Sequence, residues 1–253
     1  MRTVMTQIFQ KEKGFTLVEV LVAVFIGLVI MAAVYLSMLS GQRSSAAIDS
    51  KVAAQQDVRA ILETMAVEIG MASYNPNFVL GNFWINTACD VPANNQQYRG
   101  IQNATPTTIT VEMDISHNGL IYNNANPAAK VGNENEIITY NYDMAGQFLT
   151  RNVNCDAVDQ RFLGNDPDKP RSLRVVNDIN QNGSFDAGDI PVFRYFDPQG
   201  IEIPAADLTN RIPEIRRIEI TLAVDTEQFD PNTRERRRMI YSTGVVTRNH
   251  AIY

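Results

Sequence analysis

Apolar residues are unevenly distributed along the chain, because one early stretch contains a long uninterrupted run of them. No charged residue occurs over residues 20–42, where Val, Leu, Ile, Met, Phe and Ala fill most positions. Together with residues 15–18, the run exceeds the roughly 20 apolar residues that a helix needs to span a bilayer. The pattern predicts a membrane-spanning segment over residues 15–42.

Charges ahead of this run predict its orientation. Arg2, Lys11 and Lys13 precede it, against the single acidic residue Glu12. A basic flank stays on the cytoplasmic side, which places the C-terminal bulk of the chain across the membrane. A cleavable secretory signal is the alternative, but the apolar core of such a signal has only about 7–15 residues. The longer run favours an anchor.

Beyond the run, apolar side chains continue at helical spacing. These positions are Ile48, Val52, Val58, Leu62, Met65 and Ile69. They predict one long helix from Phe15 to about Ala72, whose second half is amphipathic and packs its apolar stripe against a sheet. Gly70 and the later pair Asn75-Pro76 supply the signal that ends the helix.

Segments with β-type composition follow the helix, separated by connections rich in Asn. Six of them are rich in Thr, Ile, Val and Tyr, namely residues 107–115, 136–142, 171–176, 191–196, 217–224 and 239–246. Residues 226–237 are predicted to form the loop of a late hairpin. A helix followed by a series of strands predicts an α+β fold, with a long N-terminal helix packed on an antiparallel sheet.

Composition and charge narrow the classes of function. The 253 residues carry 22 Lys and Arg against 28 Asp and Glu, a formal net charge of −6. This balance argues against a general nucleic-acid binder, which needs a basic face. The sequence has no H-E-x-x-H, P-loop, G-x-S-x-G or G-x-G-x-x-G motif, so we expect no enzymatic activity and no catalytic residues. Both histidines, His117 and His250, are expected to be exposed.

The start of the apolar run carries a short and specific motif. Residues 13–21 read Lys-Gly-Phe-Thr-Leu-Val-Glu-Val-Leu. Glu19 is unusual in this position, because a carboxylate at the edge of an apolar span is costly unless it is paired or functional. An α-amino group created by cleavage just before Phe15 would be a suitable partner. The motif resembles the prepilin signature of type IV pilins and type II secretion pseudopilins.

This resemblance implies a processing step and an assembly contact. A prepilin peptidase at the cytoplasmic face would cut between Gly14 and Phe15, and the new N-terminus at Phe15 would be methylated. Glu19 would then pair with the terminal amine of a neighbouring subunit. Removal of the leader, residues 1–14, takes away a net charge of +2 and leaves −8. The predicted organisation is this leader, the span or filament-core segment described above, and a head over residues 43–253.

Two shorter segments resemble minor pilins of the PilW group. They are Met-Ala-Ser-Tyr at residues 71–74 and Thr-Arg-Asn at residues 247–249. The resemblance implies a minor type IV pilin, a structural or a priming and tip subunit, partnered by other pilin subunits through its N-terminal helix. It would sit in the bacterial inner membrane with a periplasmic head before joining an extracellular pilus. The alternatives are a minor pseudopilin of a type II secretion system, a membrane-anchored calcium-binding module that does not assemble, and a tethered exported enzyme.

Residues 178–189 have the spacing of a calcium-binding loop. Oxygen-bearing residues occupy loop positions 1, 3, 5, 7, 9 and 12, namely Asp178, Asn180, Asn182, Ser184, Asp186 and Asp189. Gly183 at position 6 permits the tight turn, and Ser184 offers its backbone carbonyl. The loop resembles dockerin-type and EF-hand loops, although position 12 is Asp and both flanks look extended. Calcium is the predicted cofactor, and a turn whose Asx and Gly residues solvate themselves is the alternative.

The only two cysteines, Cys89 and Cys155, lie in the exported part. Because the periplasm is oxidising, we expect a structural disulfide between them. It would close a loop of about 65 residues and contribute about 4 kcal/mol in the chain-entropy model. Two free buried thiols are the alternative.

One basic cluster occurs in the acidic head, where residues 234–238 read Arg-Glu-Arg-Arg-Arg. Arginines are apt partners for phosphate, and some pilins bind DNA. A short run of this kind in a hairpin loop is more often a solvated surface. DNA is therefore not an expected partner.

Overall fold

A computed structural model describes one long helix, a series of strands and a short second helix. The described residues are 14–80, 83–85, 98–121, 135–156, 158–165, 173–226, 229–230 and 233–251. The chain divides into two compact units, Met1–Ala47 and Ile48–Tyr253.

The first unit contains the N-terminal part of helix α1, which spans Leu17–Gly70. Large apolar side chains cover this part and are exposed, including Leu21, Phe25 and Ile30. The helix is long and apolar enough to cross a membrane by length and composition, and none of its most apolar stretch is buried. No proline interrupts the backbone hydrogen bonds of α1.

In the second unit, the C-terminal part of α1 packs one face into the core. Its buried residues are Ala54, Val58, Leu62, Met65 and Ile69, which recur every three or four positions. They share one hydrophobic cluster with side chains of the strands. The predicted stripe is therefore confirmed over most of its length. Its first two members, Ile48 and Val52, are exposed, so packing begins later than the spacing indicated.

A five-stranded antiparallel sheet forms the first layer against this helix face. Its strands are β1 Ile101–Ala104, β2 Thr108–Glu112, β3 Ile137–Asp143, β4 Phe148–Val153 and β5 Gln160–Leu163, in that spatial order. Neighbouring strands are consecutive in sequence, so the sheet is a meander. The register places Ile109 opposite Tyr140, and both side chains are fully buried.

A second antiparallel sheet is built around one central strand. Its strands are β6 Arg174–Val175, β7 Phe193–Phe196, β8 Arg217–Asp225 and β9 Arg238–Val246. Strand β9 pairs with β8 along its whole length, so β6 and β7 share the opposite edge of β8. The short helix α2, Leu208–Arg211, continues into a 3-10 turn at Ile212–Glu214, which leads into β8. A second 3-10 turn lies at Asn249–Ala251.

The α+β class is confirmed, with a long N-terminal helix packed on antiparallel β structure. The strands form two sheets, whereas the sequence predicted one. The late hairpin is confirmed, because β8 and β9 enclose a connection at residues 226–237. Three strands escaped prediction, β1, β4 and β5, because Gln, Asn, Thr and Arg break the apolar alternation in them. Pairing with neighbouring strands holds them in the sheet.

Candidate functional site

The predicted processing and assembly residues lie at the start of α1. Thr16 precedes the first helical residue, and its Oγ1 accepts a hydrogen bond from the Glu19 N–H at 3.3 Å. Glu19 Oε2 in turn accepts the Thr16 N–H at 2.9 Å and the Thr16 hydroxyl at 3.0 Å. This reciprocal arrangement is a capping box, which satisfies donors that the first helical turn leaves unpaired. Its Thr-x-x-Glu signature was readable at residues 16–19, and the sequence interpretation overlooked it.

The predicted cleavage point is accessible. Among the described residues, nothing apart from its chain neighbours lies within 4 Å of the position that a side chain would take at Gly14, and Phe15 is 86% exposed. Gly14 is the only leader residue among those described, because residues 1–13 lie outside them. Cleavage after Gly14 would create an amine one residue before the Thr16 N–H that Glu19 already accepts.

The predicted calcium loop connects β6 with β7, so its flanks are extended as expected. Asp178, at the start of the loop, is buried, and its Oδ2 accepts the Gly183 N–H at 2.8 Å. Gly183 adopts a positive φ of 79°, which a glycine tolerates at no steric cost. The other carboxylate oxygen, Asp178 Oδ1, is buried and has no hydrogen-bond partner in the part of the chain that the structure describes.

Three further Asx side chains of the loop contact one another, and a fourth binds backbone N–H groups. Asn180 Nδ2 donates to both carboxylate oxygens of Asp186 at 3.1 Å, and Asn182 Nδ2 donates to Asp186 Oδ2 at 2.6 Å. The carboxylate of Asp189 accepts the Asp186 N–H and the Ile179 N–H, each at 2.9 Å. Three of the six predicted ligand side chains, Asn180, Asn182 and Asp186, therefore contact one another.

Backbone turns close the middle of the loop. Asn180 Oδ1 accepts the Asn182 N–H at 3.0 Å, and Asn182 Oδ1 accepts the Ser184 N–H at 2.8 Å. Ser184 itself is exposed. Among the described residues, no group of three or more His, Cys, Asp and Glu side chains is arranged to hold a metal ion. Calcium binding therefore stays a prediction that depends on amide and carbonyl oxygens as well as carboxylates.

The base of the loop is fixed by Asn177, a buried residue that the sequence interpretation missed. Its Nδ2 donates to the carbonyl of Ile190 at 3.0 Å and to that of Thr221 at 2.9 Å. Its Oδ1 accepts the Ala223 N–H at 2.9 Å. Since Thr221 and Ala223 belong to β8, one side chain joins both ends of the loop to the central strand of the second sheet.

Of the two cysteines, Cys155 lies in the described part of the chain. Cys155 is half-buried and packs against a small cluster that contains Phe83, Trp84 and Ile85. Cys89 lies outside the described residues. The disulfide therefore stays a prediction.

Two side chains of the arginine cluster are engaged within the hairpin. The Arg238 guanidinium forms a bidentate pair with Asp225 at 3.0 and 3.1 Å. The Arg236 guanidinium lies 5.0 Å from the centre of the Phe229 ring. These contacts give Arg236 and Arg238 a local structural role.

The expectation for His250 was wrong, because its side chain is fully buried. Its Nδ1 lies 2.8 Å from Ser73 Oγ, and its Nε2 lies 2.9 Å from the carbonyl oxygen of Ile212. Burial lowers the pKa of His250 to about 4. Long-range packing against Ser73, just after α1, and against Ile212 produces this burial, and no local sequence pattern indicates it. His117 is exposed, as expected.

Comparison with known families supports the interpretation of the N-terminus as a prepilin-like motif. Residues 9–35 match the family model described as the prokaryotic N-terminal methylation motif. The matched segment contains the predicted cleavage point, Glu19 and the first part of the apolar helix. No curated protein and no solved structure gave a match. The motif supports a type IV pilin-like protein, a pilin or pseudopilin precursor that prepilin peptidase processes and that assembles with pilin subunits.

Proposed function

We propose that the protein is a minor type IV pilin, a structural or a priming and tip subunit without catalytic activity. The observation that carries this proposal is the methylation motif placed directly at the start of an exposed apolar helix. The weaker resemblance of residues 71–74 and 247–249 to the PilW group supports the assignment to the minor pilins. The precursor would reside in the bacterial inner membrane with its head in the periplasm, and the processed subunit would enter an extracellular pilus.

The apolar part of α1 would lie first in the membrane and later in the core of the filament. Before assembly, lipid would cover its exposed side chains, and in the filament the corresponding helices of neighbouring subunits would cover them. Removing apolar surface from water contributes roughly 25 cal/mol per Å². The same surface can therefore anchor the precursor and hold the assembled subunit.

Glu19 is suited to an additional contact beyond its own helix. Both bonds that its carboxylate accepts from Thr16 end on Oε2. In the described part of the chain, no hydrogen bond reaches Glu19 Oε1. A carboxylate has capacity for several donors, so Glu19 can cap its own helix while pairing with the amine of a neighbouring subunit. In a filament core of low polarity, this pairing would favour correct register, because an unpaired carboxylate is costly there.

Two substitutions at Glu19 separate its charge from its capping role. Glu19→Gln keeps an oxygen that can accept the Thr16 N–H but removes the charge, whereas Glu19→Ala removes both. We expect both variants to be processed and both to be depleted at least tenfold from purified pili. Mass spectrometry of the membrane and pilus fractions measures processing and incorporation together.

The wild-type protein provides the reference for this experiment. We expect its mature N-terminus to be methylated Phe15. Retention of residues 1–14 in the wild-type protein would contradict the proposal. Normal incorporation of Glu19→Gln beside loss of Glu19→Ala would show that only helix capping matters. Unchanged pili with both variants would instead favour an anchored module that does not assemble.

A minor pseudopilin of a type II secretion system is the second candidate, because pseudopilins carry the same N-terminal motif. Deletion of the gene discriminates between the two. Loss of surface pili with intact protein secretion supports the pilin. Loss of secretion with intact pili supports the pseudopilin.

A further inference from the structure

We propose that the loop over residues 178–189 binds one calcium ion, with the buried carboxylate of Asp178 as its innermost ligand. This proposal concerns the head and is independent of how the N-terminal helix assembles. It is carried by the spacing of the oxygen-bearing residues together with the unpartnered oxygen of Asp178.

Burial of Asp178 is the observation that points to a cation. Only 2% of the residue is exposed, and in the described part of the chain nothing donates a hydrogen bond to its Oδ1. A buried polar atom without a partner costs free energy, and a buried carboxylate costs more than a neutral group. The opposite oxygen accepts the Gly183 N–H from loop position 6, so the carboxylate faces the interior of the loop. A cation bound there would supply the partner that Oδ1 lacks.

The second ligand group surrounds the exposed carboxylate of Asp186. Its two oxygens accept the amide N–H groups of Asn180 and Asn182. A calcium ion would replace these amide donors as the partner of Asp186. Each asparagine oxygen accepts one backbone N–H and keeps a second lone pair for a metal ion. The carboxylate of Asp189 and the backbone carbonyl of Ser184 would complete the set.

These donors suit calcium better than magnesium. Calcium accepts six to eight oxygen ligands in flexible geometry, whereas magnesium demands a tight octahedron and keeps several waters. Three carboxylates in the loop can offset the charge of a divalent ion. Asp189 is shorter than the Glu that usually closes such loops, which weakens bidentate closure. We therefore expect a dissociation constant of roughly 10⁻⁴–10⁻³ M, as in extracellular modules.

Calcium binding in this loop would stabilise contacts that connect the loop to both sheets. Asn177 joins the two ends of the loop to β8, as described above. The Asp178 N–H lies 3.2 Å from the hydroxyl of Tyr142, which donates to the carbonyl of Val175 at 3.0 Å. Tyr142 belongs to β3 of the first sheet, and Val175 belongs to β6 of the second. Fixing Asp178 would therefore steady a hydrogen-bonded junction between the sheets.

The test uses the full-length protein in detergent micelles, with CaCl₂ as the probe at constant ionic strength. Isothermal titration calorimetry is expected to show uptake of one calcium ion per chain. At ten times the dissociation constant, calcium should raise the melting temperature by about 3–6 °C. Magnesium at the same concentration should raise it by less than about 1 °C.

Variants locate the site. Asp186→Ala removes an exposed loop carboxylate and is expected to weaken calcium binding at least tenfold. Asp207→Ala removes an exposed carboxylate outside the loop, one without a side-chain capping bond, and should bind calcium like the wild type. Asp178→Asn keeps the shape of the innermost side chain and should also weaken binding.

Three results would overturn the proposal. The first is the absence of both heat and a melting shift at 10-fold the upper expected dissociation constant, about 10 mM. The second is an equal shift in Asp186→Ala and the wild type, which would indicate general screening of an acidic head. The third is an equal response to magnesium, which would indicate a nonspecific ionic effect.

Discussion

The side chain of His250 lies between a hydroxyl and a carbonyl in the interior of the head. Because the Ile212 carbonyl only accepts, Nε2 carries the proton and Nδ1 accepts the Ser73 hydroxyl. Ser73 Oγ also accepts the Gly100 N–H at 3.0 Å. The neutral imidazole therefore satisfies every donor and acceptor in this buried chain of bonds. It joins the C-terminal segment to the residues that follow α1.

Protonation of His250 should destabilise the head. Burial, together with the nearby positive charges of Arg216 and Arg99, lowers its pKa to about 4 in the folded protein. An unfolded histidine has a pKa of about 6.5, so the unfolded chain binds more protons between these values. The contribution of neutral His250 to the free energy of unfolding is complete above pH about 6.5 and is lost as the pH falls toward 4. It amounts to about 3 kcal/mol.

Denaturant unfolding at several pH values measures this contribution. Carboxylates also titrate in this range, so His250→Gln serves as the reference variant. The free energy of unfolding of the wild type should fall more steeply between pH 6.5 and 4 than that of His250→Gln. Parallel curves for the two proteins would contradict the assignment.

At the scale of elements, helix α1 changes its surroundings along its length. Its C-terminal part joins the core through apolar packing and through one polar cluster on Glu68. The carboxylate of Glu68 forms a bidentate pair with Arg151 of β4 at 3.1 and 2.7 Å, and it accepts the Tyr140 hydroxyl of β3. Burial raises the pKa of the Tyr140 hydroxyl, which therefore acts as a donor. The helix is thus fixed on the first sheet by both shape and charge.

Two substitutions one turn or less apart on α1 should differ sharply in effect. Met65 is fully buried, so Met65→Ala would leave a cavity and lower the free energy of unfolding by about 2–5 kcal/mol. Val67 is 64% exposed, so Val67→Ala should change it by less than about 0.5 kcal/mol. Chemical denaturation of both variants provides the measurement. Equal effects would show that the apolar stripe does not hold the helix.

For the whole molecule, the boundary between the two compact units has a direct consequence for folding. The buried residues of α1 begin at Ala54, inside the second unit, Ile48–Tyr253. All the buried residues of α1 in the described part of the chain therefore belong to the second unit. The overall charge of −6 likewise combines different parts, namely a basic leader, an uncharged apolar run and an acidic head.

Residues 48–253 expressed alone are expected to fold. Because every buried residue of α1 is retained, the melting temperature of this fragment should lie within about 3 °C of that of the full-length protein in detergent. Scanning calorimetry or circular dichroism can compare the two proteins under identical ionic conditions. A truncated head that shows no cooperative transition would demonstrate that the first unit is required for folding.

Features that depend on neighbouring residues were predictable from the sequence. The uncharged run, the spacing of the helix stripe and the hairpin of β8 and β9 all follow from local periodicity. The prepilin-like motif and the Asx spacing of the loop are also local, and the structure places the loop between two strands as expected. Strands β1, β4 and β5 were missed, because their polar side chains carry no alternating signal.

Only the tertiary structure decided which of these residues are buried and what they contact. Three features depend on residues that are far apart in sequence. They are the division of the strands into two sheets, the burial of His250 and the contact of Glu68 with Arg151. The burial of the Asp178 carboxylate was also decided only by the tertiary structure. This burial adds a structural reason to the spacing pattern on which the calcium proposal is based. Periodicity reports which face of an element is apolar, whereas burial and pairing depend on the rest of the chain that packs against it.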